Sequence, residues 1–176
     1  MLILLNFKLT DDNQMNLTSE VSLRRFTTMD LENVMEINRT CLPENYNSYF
    51  FMEIFKNCPD AFIVAEANST IIGYIMCRLE SGFSDFSRIK PVRKGHVVSI
   101  AIIPNYRRTG IARTLMLSAM SSLTSYGSSE AFCEVRVTNE PALQLYKKLG
   151  FSIRKRISRY YYDGEDAFVM ARPLLS

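Results

Sequence analysis

The chain has 176 residues, of which 47% are hydrophobic and 22% charged, and its formal net charge is +3. That length fits one domain with a sizeable core, that composition is ordinary for a globular protein, and no apolar run reads as a membrane segment. The charge excess is too small to point to nucleic acid by itself.

Residues 1–20 read as an appended arm and 21–176 as a single domain. The apolar start, residues 1–7, has no basic segment before it and is far too short to span a bilayer. It is followed by Asp11 and Asp12, so no signal peptide is expected. Residues 21–26 read as a first strand. Thr27 or Thr28 is a suitable cap for a helix whose first turn carries Asp30 and Glu32, and that helix ends near Cys41-Leu42-Pro43. A second helix is expected over 48–56. The apolar run 61–67, a turn at Asn68-Ser69 and the run 71–79 then read as a hairpin. Residues 81–95 read as a polar loop containing the short basic run Arg88-Ile89-Lys90-Pro91-Val92-Arg93-Lys94. Residues 96–103 are β-branched and nearly free of charge, the pattern of a strand buried on both faces.

After Pro104 comes Arg107-Arg108-Thr109-Gly110-Ile111-Ala112, a basic, glycine-containing turn. Ile111, Leu115, Met116, Ala119, Met120 and Leu123 then recur at helical spacing, so a helix runs from about Thr109 or Gly110 to Tyr126. The first N–H groups of such a helix have no partner within it and the macrodipole is positive there, so the turn suits a phosphate. Neither the P-loop nor the dinucleotide glycine pattern is present. In the next strand, 131–137, alternation puts Phe132, Glu134 and Arg136 on one face. Asn139 then caps a helix carrying Pro141 in its first turn, and Leu143, Leu145, Tyr146 and Leu149 continue it to Gly150. Asp163-Gly164 is a hairpin-turn signal beside Tyr160, Tyr161 and Tyr162. The cysteines Cys41, Cys58, Cys77 and Cys133 lie far apart with no C-x-x-C pair, which fits reduced thiols in a cytoplasmic protein and gives neither a zinc site nor a disulfide framework.

The pattern R-x-x-G-x-A at Arg107, Gly110 and Ala112 after a strand resembles the pyrophosphate-binding turn of the GNAT acetyltransferases. The segment from Val137-Thr138-Asn139 through Tyr146 to Leu149-Gly150-Phe151 resembles the second half of that family's cofactor site. The resemblance implies an α/β (α+β mixed) fold with a central, mostly antiparallel twisted sheet flanked by helices and a splayed central strand pair. It also implies acetyl-CoA as co-substrate. Arg107, Arg108, Thr109, Gly110, Ile111, Ala112 and Arg113 would wrap its pyrophosphate. Asn139 would hold the pantetheine arm, Tyr146 would sit at the thioester sulfur as acid for the leaving thiolate, and Lys147 and Lys148 would also contact the cofactor.

Leu42-Pro43-Glu44-Asn45-Tyr46, Gly95-His96-Val97 and Tyr160-Tyr161-Tyr162-Asp163-Gly164-Glu165-Asp166-Ala167 are similar to segments of one branch of that family. It comprises the catalytic subunit of the N-terminal acetyltransferase NatA and its archaeal counterparts; the bacterial RimI enzymes are more distant. Tyr162 departs from the branch, which commonly has a small residue there. The other departure is the arm before Val21, which would reflect a translation start at Met15. The branch acts on protein N-termini, so Leu42, Tyr46, Tyr160 and Tyr161 are expected to contact the peptide.

The implied reaction is direct attack of a neutral α-amine on the thioester of acetyl-CoA through a tetrahedral oxyanion. An α-amino group has a pKa about 2.5 units below that of lysine, which makes it easier to deprotonate by roughly 3.4 kcal/mol, so a modest base suffices. Glu44, His96 and Glu134 are the candidates, with Glu44 as the main base and His96 and Glu134 brought to one water by adjacent strands. A His and Glu pair could also hold a divalent ion, though two ligands are thin evidence for a site, and no metal is assigned. A backbone N–H of Ile100, Ala101 or Ile102 is the natural oxyanion donor, and the same stretch would pair with the pantetheine amides. Small N-termini (Ser, Ala, Thr, Gly), with Met as a further class, are the expected acceptors. Ribosome contact through the basic loop is a further expectation, with no specific nucleic acid and no membrane partner. The alternatives are a lysine or small-amine acetyltransferase and a non-catalytic acetyl-CoA-binding, ribosome-docking module.

Overall fold

The computed structural model describes residues 3–6, 20–87 and 89–174. Residues 7–19 of the arm, with Met15, and Arg88 of the basic run lie outside them. The chain divides into two compact units, Met1–Met76 with Ser99–Ala119, and Cys77–Val98 with Met120–Ser176.

In the first unit, β1 (Ile3–Asn6) pairs antiparallel with β2 (Glu20–Arg25), so the arm contributes a strand that periodicity did not reveal. A 3-10 turn over Thr28–Asp30 leads into α1 (Leu31–Cys41). Its start is fixed by Asp30, only 6% exposed, whose carboxylate accepts from Thr27 N and Oγ1 and takes both Nη1 and Nη2 of Arg24 at 2.7 and 2.9 Å. The Arg24 hydrogen bond, with help from Thr27, holds the Asp30 carboxyl below its ordinary range against the opposing effect of burial. Helix α2 (Ser48–Asn57) is capped by Asn47, whose side chain accepts from Phe50 N. Strand β3 (Phe62–Ala67) turns at Asn68 and Ser69, with φ of 49° and 61°, into β4 (Thr70–Phe83). An aromatic cluster forms the core here, with Phe26 stacked on Phe62 at 4.0 Å and Phe51 and Tyr74 edge-on at 6.2 Å.

Strand β5 (Pro91–Ile102) lies next to β4 in the sheet, and the two run antiparallel, with Ile103 N donating to Ile72 O at 2.9 Å and Ser84 N to Lys90 O at 2.9 Å. The connection between them is therefore shorter than the 81–95 loop expected. Its polar flanks continue the ladder with partly exposed side chains, where hydrophobic alternation carries no signal. In the second unit the remaining turn is pinned. Ser84 Oγ donates to the buried Glu130 carboxylate, Asp85 N donates to Glu130 Oε2 at 2.8 Å, and Arg154 donates twice to Asp85 O.

Helix α3 (Ile111–Ser125) buries Ile111, Leu115, Met116, Ala119, Met120 and Leu123, the face its spacing predicted. Strand β6 (Glu130–Arg136) pairs parallel with β5, with Lys94, Gly95 and His96 opposite Glu130, Ala131 and Phe132. Helix α4 (Glu140–Lys148) follows, and β7 (Ser152–Ile157) and β8 (Ala167–Pro173) close the sheet in the order β1-β2-β3-β4-β5-β6-β8-β7. All its described neighbour pairings except β5 with β6 are antiparallel. The registered part of that parallel pair ends at His96, although β5 runs on to Ile102 and β6 to Arg136. The expected hairpin is formed by β7 and β8, and the three tyrosines lie in its connection, 158–166, where Gly164 N donates to Tyr161 O and Gly164 has a φ of 84°.

Strands β4 and β5 approach closely at Gly73. A Cβ there would stand 2.4 Å from Ile102 Cδ1 and 2.7 Å from the Ala101 carbonyl oxygen, and the latter belongs to the backbone and has little room to yield. Gly73→Ala is expected to lower stability by about 1–3 kcal/mol in urea unfolding with an unchanged m-value.

Candidate active site

The loop after α1 is held from beneath by one buried side chain. Asn38, with no exposed surface, donates from Nδ2 to Glu44 O at 3.0 Å and to Tyr74 Oη at 3.1 Å, and its Oδ1 accepts from Tyr46 N at 3.1 Å. Tyr74 in turn shares a hydrogen bond with Ser99 Oγ at 2.8 Å, and burial raises its hydroxyl pKa well above 10. The Asn38 amide thus uses three of its hydrogen-bonding positions to set the path of the Leu42–Tyr46 segment, which carries Glu44. Tyr46 stacks on Phe50 at 4.5 Å, so its ring is fixed as well as its backbone. Asn38 sits one turn after buried Val34 and was detectable as a polar residue on the apolar face of α1.

In the same unit, the turn before α3 adopts two left-handed residues, Arg108 at φ 67° and Gly110 at φ 91°. Gly110 O accepts from Thr114 N, so Gly110 begins the helix, and by helix geometry the N–H groups of Ile111, Ala112 and Arg113 have no intrahelical acceptor. Thr109 Oγ1 donates to Tyr106 O at 2.6 Å, which tightens the turn. Arg107 is used internally: its Nε donates to Ile102 O at 2.8 Å and ties the turn to the end of β5. Arg108 and Arg113 are exposed.

In the second unit, His96 lies between two carboxylates. Its Nδ1 is 2.9 Å from Glu80 Oε1 and its Nε2 is 2.7 Å from Glu134 Oε2, while the ring stacks on Phe132 at 4.4 Å. Glu80 Oε1 also accepts from Arg78 Nε at 2.6 Å. Burial works against a charged ring, but the hydrogen bonds and charges of Glu134 and Glu80 outweigh it and raise the His96 pKa above its ordinary 6.5. The His96 hydrogen bond, opposed by burial and helped by Arg78, pulls Glu80 down to about 2. Glu80 was missed by sequence reading because the strand was ended at Leu79; extending the alternation by one residue puts Arg78 and Glu80 on one face. Among the described residues, no group of three or more His, Cys, Asp or Glu side chains is arranged to hold a metal ion.

Glu134 and Arg136 share a face of β6. Arg136 Nη1 reaches Asp163 and Glu165 at 2.7 and 2.6 Å, and its guanidinium lies 4.0 Å from the centre of the Tyr161 ring. Glu165 also accepts from Thr138 N and Oγ1, so the connection bearing Tyr160 and Tyr161 is clamped to the end of β6. Asn139 Oδ1 caps α4 by accepting from Ala142 N at 3.2 Å, which leaves the donor end of its amide for other partners. Tyr146 is 5% exposed, and burial keeps the phenol protonated well above 10. Lys147 and Lys148 are exposed on the last turn of α4.

The fold is that of an acetyl-CoA-dependent acyltransferase. Residues 31–151 match the model of the acetyltransferase (GNAT) family, and the chain belongs to that family. It is 48% identical to an N-alpha-acetyltransferase of Saccharolobus solfataricus over 157 residues, 88% of this chain and 94% of that one. It is 32% identical to the N-terminal acetyltransferase A complex catalytic subunit NAA10 of Arabidopsis thaliana, over 88% of this chain and 78% of that one. A crystal structure of the NatC complex bound to Gag peptide and CoA contains a chain that superposes with a TM-score of 0.79 at 25% identity, covering 88% of this chain and 99% of that one. N-terminal acetylation is the activity that these similarities support. No helix among the described residues is long and apolar enough to cross a membrane.

The charge states of Glu80, Asp30 and His96 make stability depend on pH. The folded pKa of Glu80 is depressed from an ordinary 4.5, so its contribution is present above about pH 4.5 and is lost as pH falls toward 2. Asp30 acts in the same direction. The folded pKa of His96 is raised, so its contribution is complete below about pH 6.5 and is lost as pH rises through the folded value. Urea midpoints are expected to fall between pH 5 and pH 3, and His96→Gln is expected to reduce the decline on the alkaline side.

Proposed function

We propose that the chain transfers the acetyl group of acetyl-CoA to the α-amine of protein N-termini with small first residues, Ser, Ala, Thr or Gly, and with Met as a further class. The observation that carries this reading is the half-buried Glu134 carboxylate 2.7 Å from His96. A carboxylate is a modest base, matched to an amine of pKa near 8 and poorly matched to a lysine near 10.4. Similarity to archaeal N-alpha-acetyltransferases over most of the chain supports the same reading.

Bound acetyl-CoA supplies an activated thioester. The left-handed backbone at Arg108 and Gly110 fits this co-substrate, because it turns successive N–H groups of the Arg108–Arg113 stretch toward an anion, and the helix dipole and exposed guanidinium groups add to the attraction. Arg107 would support that turn from behind. Backbone N–H groups of Ile100, Ala101 and Ile102 would pair with the amide-bearing arm and donate to the acetyl oxygen as negative charge develops there. The donor end of Asn139 would hold the same arm, and Lys147 and Lys148 would meet its phosphates. Glu44 would accept the amine proton and orient the first residue, with Leu42, Tyr46, Tyr160 and Tyr161 lining the peptide. A thiol leaving group has a pKa near 8.5, so a phenol held well above 10 donates a hydrogen bond to the departing thiolate more readily than it gives up its proton, and Tyr146 would act in that way.

Work on nascent N-termini would put the chain in the cytoplasm, and contact with ribosomes through exposed Lys90 and Arg93 would bring it to those chains.

Acetyl transfer from labelled acetyl-CoA is expected to free peptides beginning Ser or Ala, at a lower rate to Met-Leu or Met-Glu, and not to an N-terminally blocked peptide containing lysine. Transfer to the blocked lysine peptide alone would overturn this reading. Glu44→Gln is expected to lower kcat by about 10²-fold, within the range for loss of a general base, at unchanged acetyl-CoA KM; full turnover would remove Glu44 from the base role.

A further inference from the structure

The row around His96 has one member that neither the resemblance nor the proposed chemistry uses. We propose that Glu80 is a positioning residue that keeps His96 doubly protonated, so that His96 is a fixed hydrogen-bond donor to Glu134 and not the acceptor of the substrate's proton. The inference rests on the reading of His96 and Glu134 as part of the reaction site.

A neutral imidazole has one N–H and one lone pair, whereas an ionised carboxylate can only accept. Here both ring nitrogens face carboxylate oxygens, at 2.9 and 2.7 Å. With one proton on the ring, a lone pair would point at a carboxylate and one of the two short contacts would be repulsive. Glu80 is itself ionised, since the same Oε1 accepts from Arg78 Nε. Two protons on the ring satisfy all three contacts together, and with Arg78 they make the row of Arg78, Glu80, His96 and Glu134 electrically neutral.

The surroundings keep that balance. From β4 the row receives Arg78 and Glu80, and from β6 it receives Glu134, with Arg136 two residues on. Arg136 is engaged by Asp163 and Glu165, which keeps its charge from competing with His96 for Glu134. On β5, Lys94 pairs with Asp85 and lies 4.6 Å from the centre of the Phe132 ring. Phe132 packs flat against His96, which limits water at the ring and strengthens the charge-assisted bonds. The direction of both titrations agrees, with His96 raised and Glu80 lowered. Charged His96 holds Glu134 Oε2 in place and does not itself take up the substrate's proton.

His96 is the chain's one histidine, so a long-range 1H–15N spectrum of the full protein contains a single imidazole. In the natural protein both ring nitrogens are expected to stay protonated from pH 6 to pH 8. In Glu80→Gln, which keeps the size of the side chain, the ring is expected to titrate near its ordinary value of about 6.5. The variant's kcat is expected to fall about tenfold as pH rises through that midpoint, the loss of one charge-assisted hydrogen bond, and to recover below it at unchanged acetyl-CoA KM. Glu80→Asp, which retains the carboxylate, is expected to keep the ring charged, and thermal melts of each variant register any loss of fold. A ring that is singly protonated at pH 7 in the natural protein, or unchanged in its titration in Glu80→Gln, overturns the charge assignment and leaves the reaction site standing. A ring that responds as expected while turnover stays flat with pH overturns the positioning role, and with it the placement of the reaction at His96 and Glu134.

Discussion

The arrangement of the second unit depends on a short parallel register, Lys94 to His96 of β5 against Glu130 to Phe132 of β6. Parallel neighbours place residues of the same parity on the same face, so His96 stands beside Phe132 and within reach of Glu134, one pleat further along. A shift of one residue would send Glu134 to the opposite face, where Cys133 now lies buried, and would leave a carboxylate in an apolar interior. Gly95 belongs to the same constraint: a Cβ there would stand 2.4 Å from Leu123 Cδ1, so the backbone of β5 can approach α3 only without a side chain.

Three polar side chains with little exposure each tie down a loop. Asn38 holds the Glu44 and Tyr46 backbone, Glu130 holds the turn at Ser84 and Asp85, and Arg136 with Glu165 holds the connection of Tyr160 and Tyr161. Each loop would otherwise pay its ordering entropy with few apolar contacts in return. A buried amide or carboxylate with several partners in one loop fixes that loop's course more sharply than packing does, because leaving any partner unmet costs as much as a lost hydrogen bond.

The exposed end of the sheet shows a different solution. Strand β7 is exposed along most of its length and carries Arg154, Lys155 and Arg156 in succession. Charges on an edge strand discourage pairing with another chain. Two of them are also anchored, Arg154 on the carbonyl of Asp85 and over the Phe86 ring, and Arg156 on Asp166.

Hydrophobic period and turn chemistry were enough to find the helices α1 to α4, the strands around 61–79 and 131–137, and the glycine turn at 107–112, since each of these depends on residues close in sequence. While the adjacency of their two strands came with the family resemblance, the same local signals placed His96 and Glu134 each on a strand and Asn139 at a helix start. They could not find β1 or the full length of β4 and β5, whose outer parts are stabilised by ladder hydrogen bonds and not by an apolar face. Nor could they pair the charges: Arg136 stands two residues from Glu134 yet binds Asp163 and Glu165, and Glu134 binds a histidine 38 residues away. The alternation determined which face each side chain takes. Which partner it meets there was decided by strand order and register, because those set the distances between residues far apart in the chain, and a carboxylate's role follows from the atoms within about 3 Å of it.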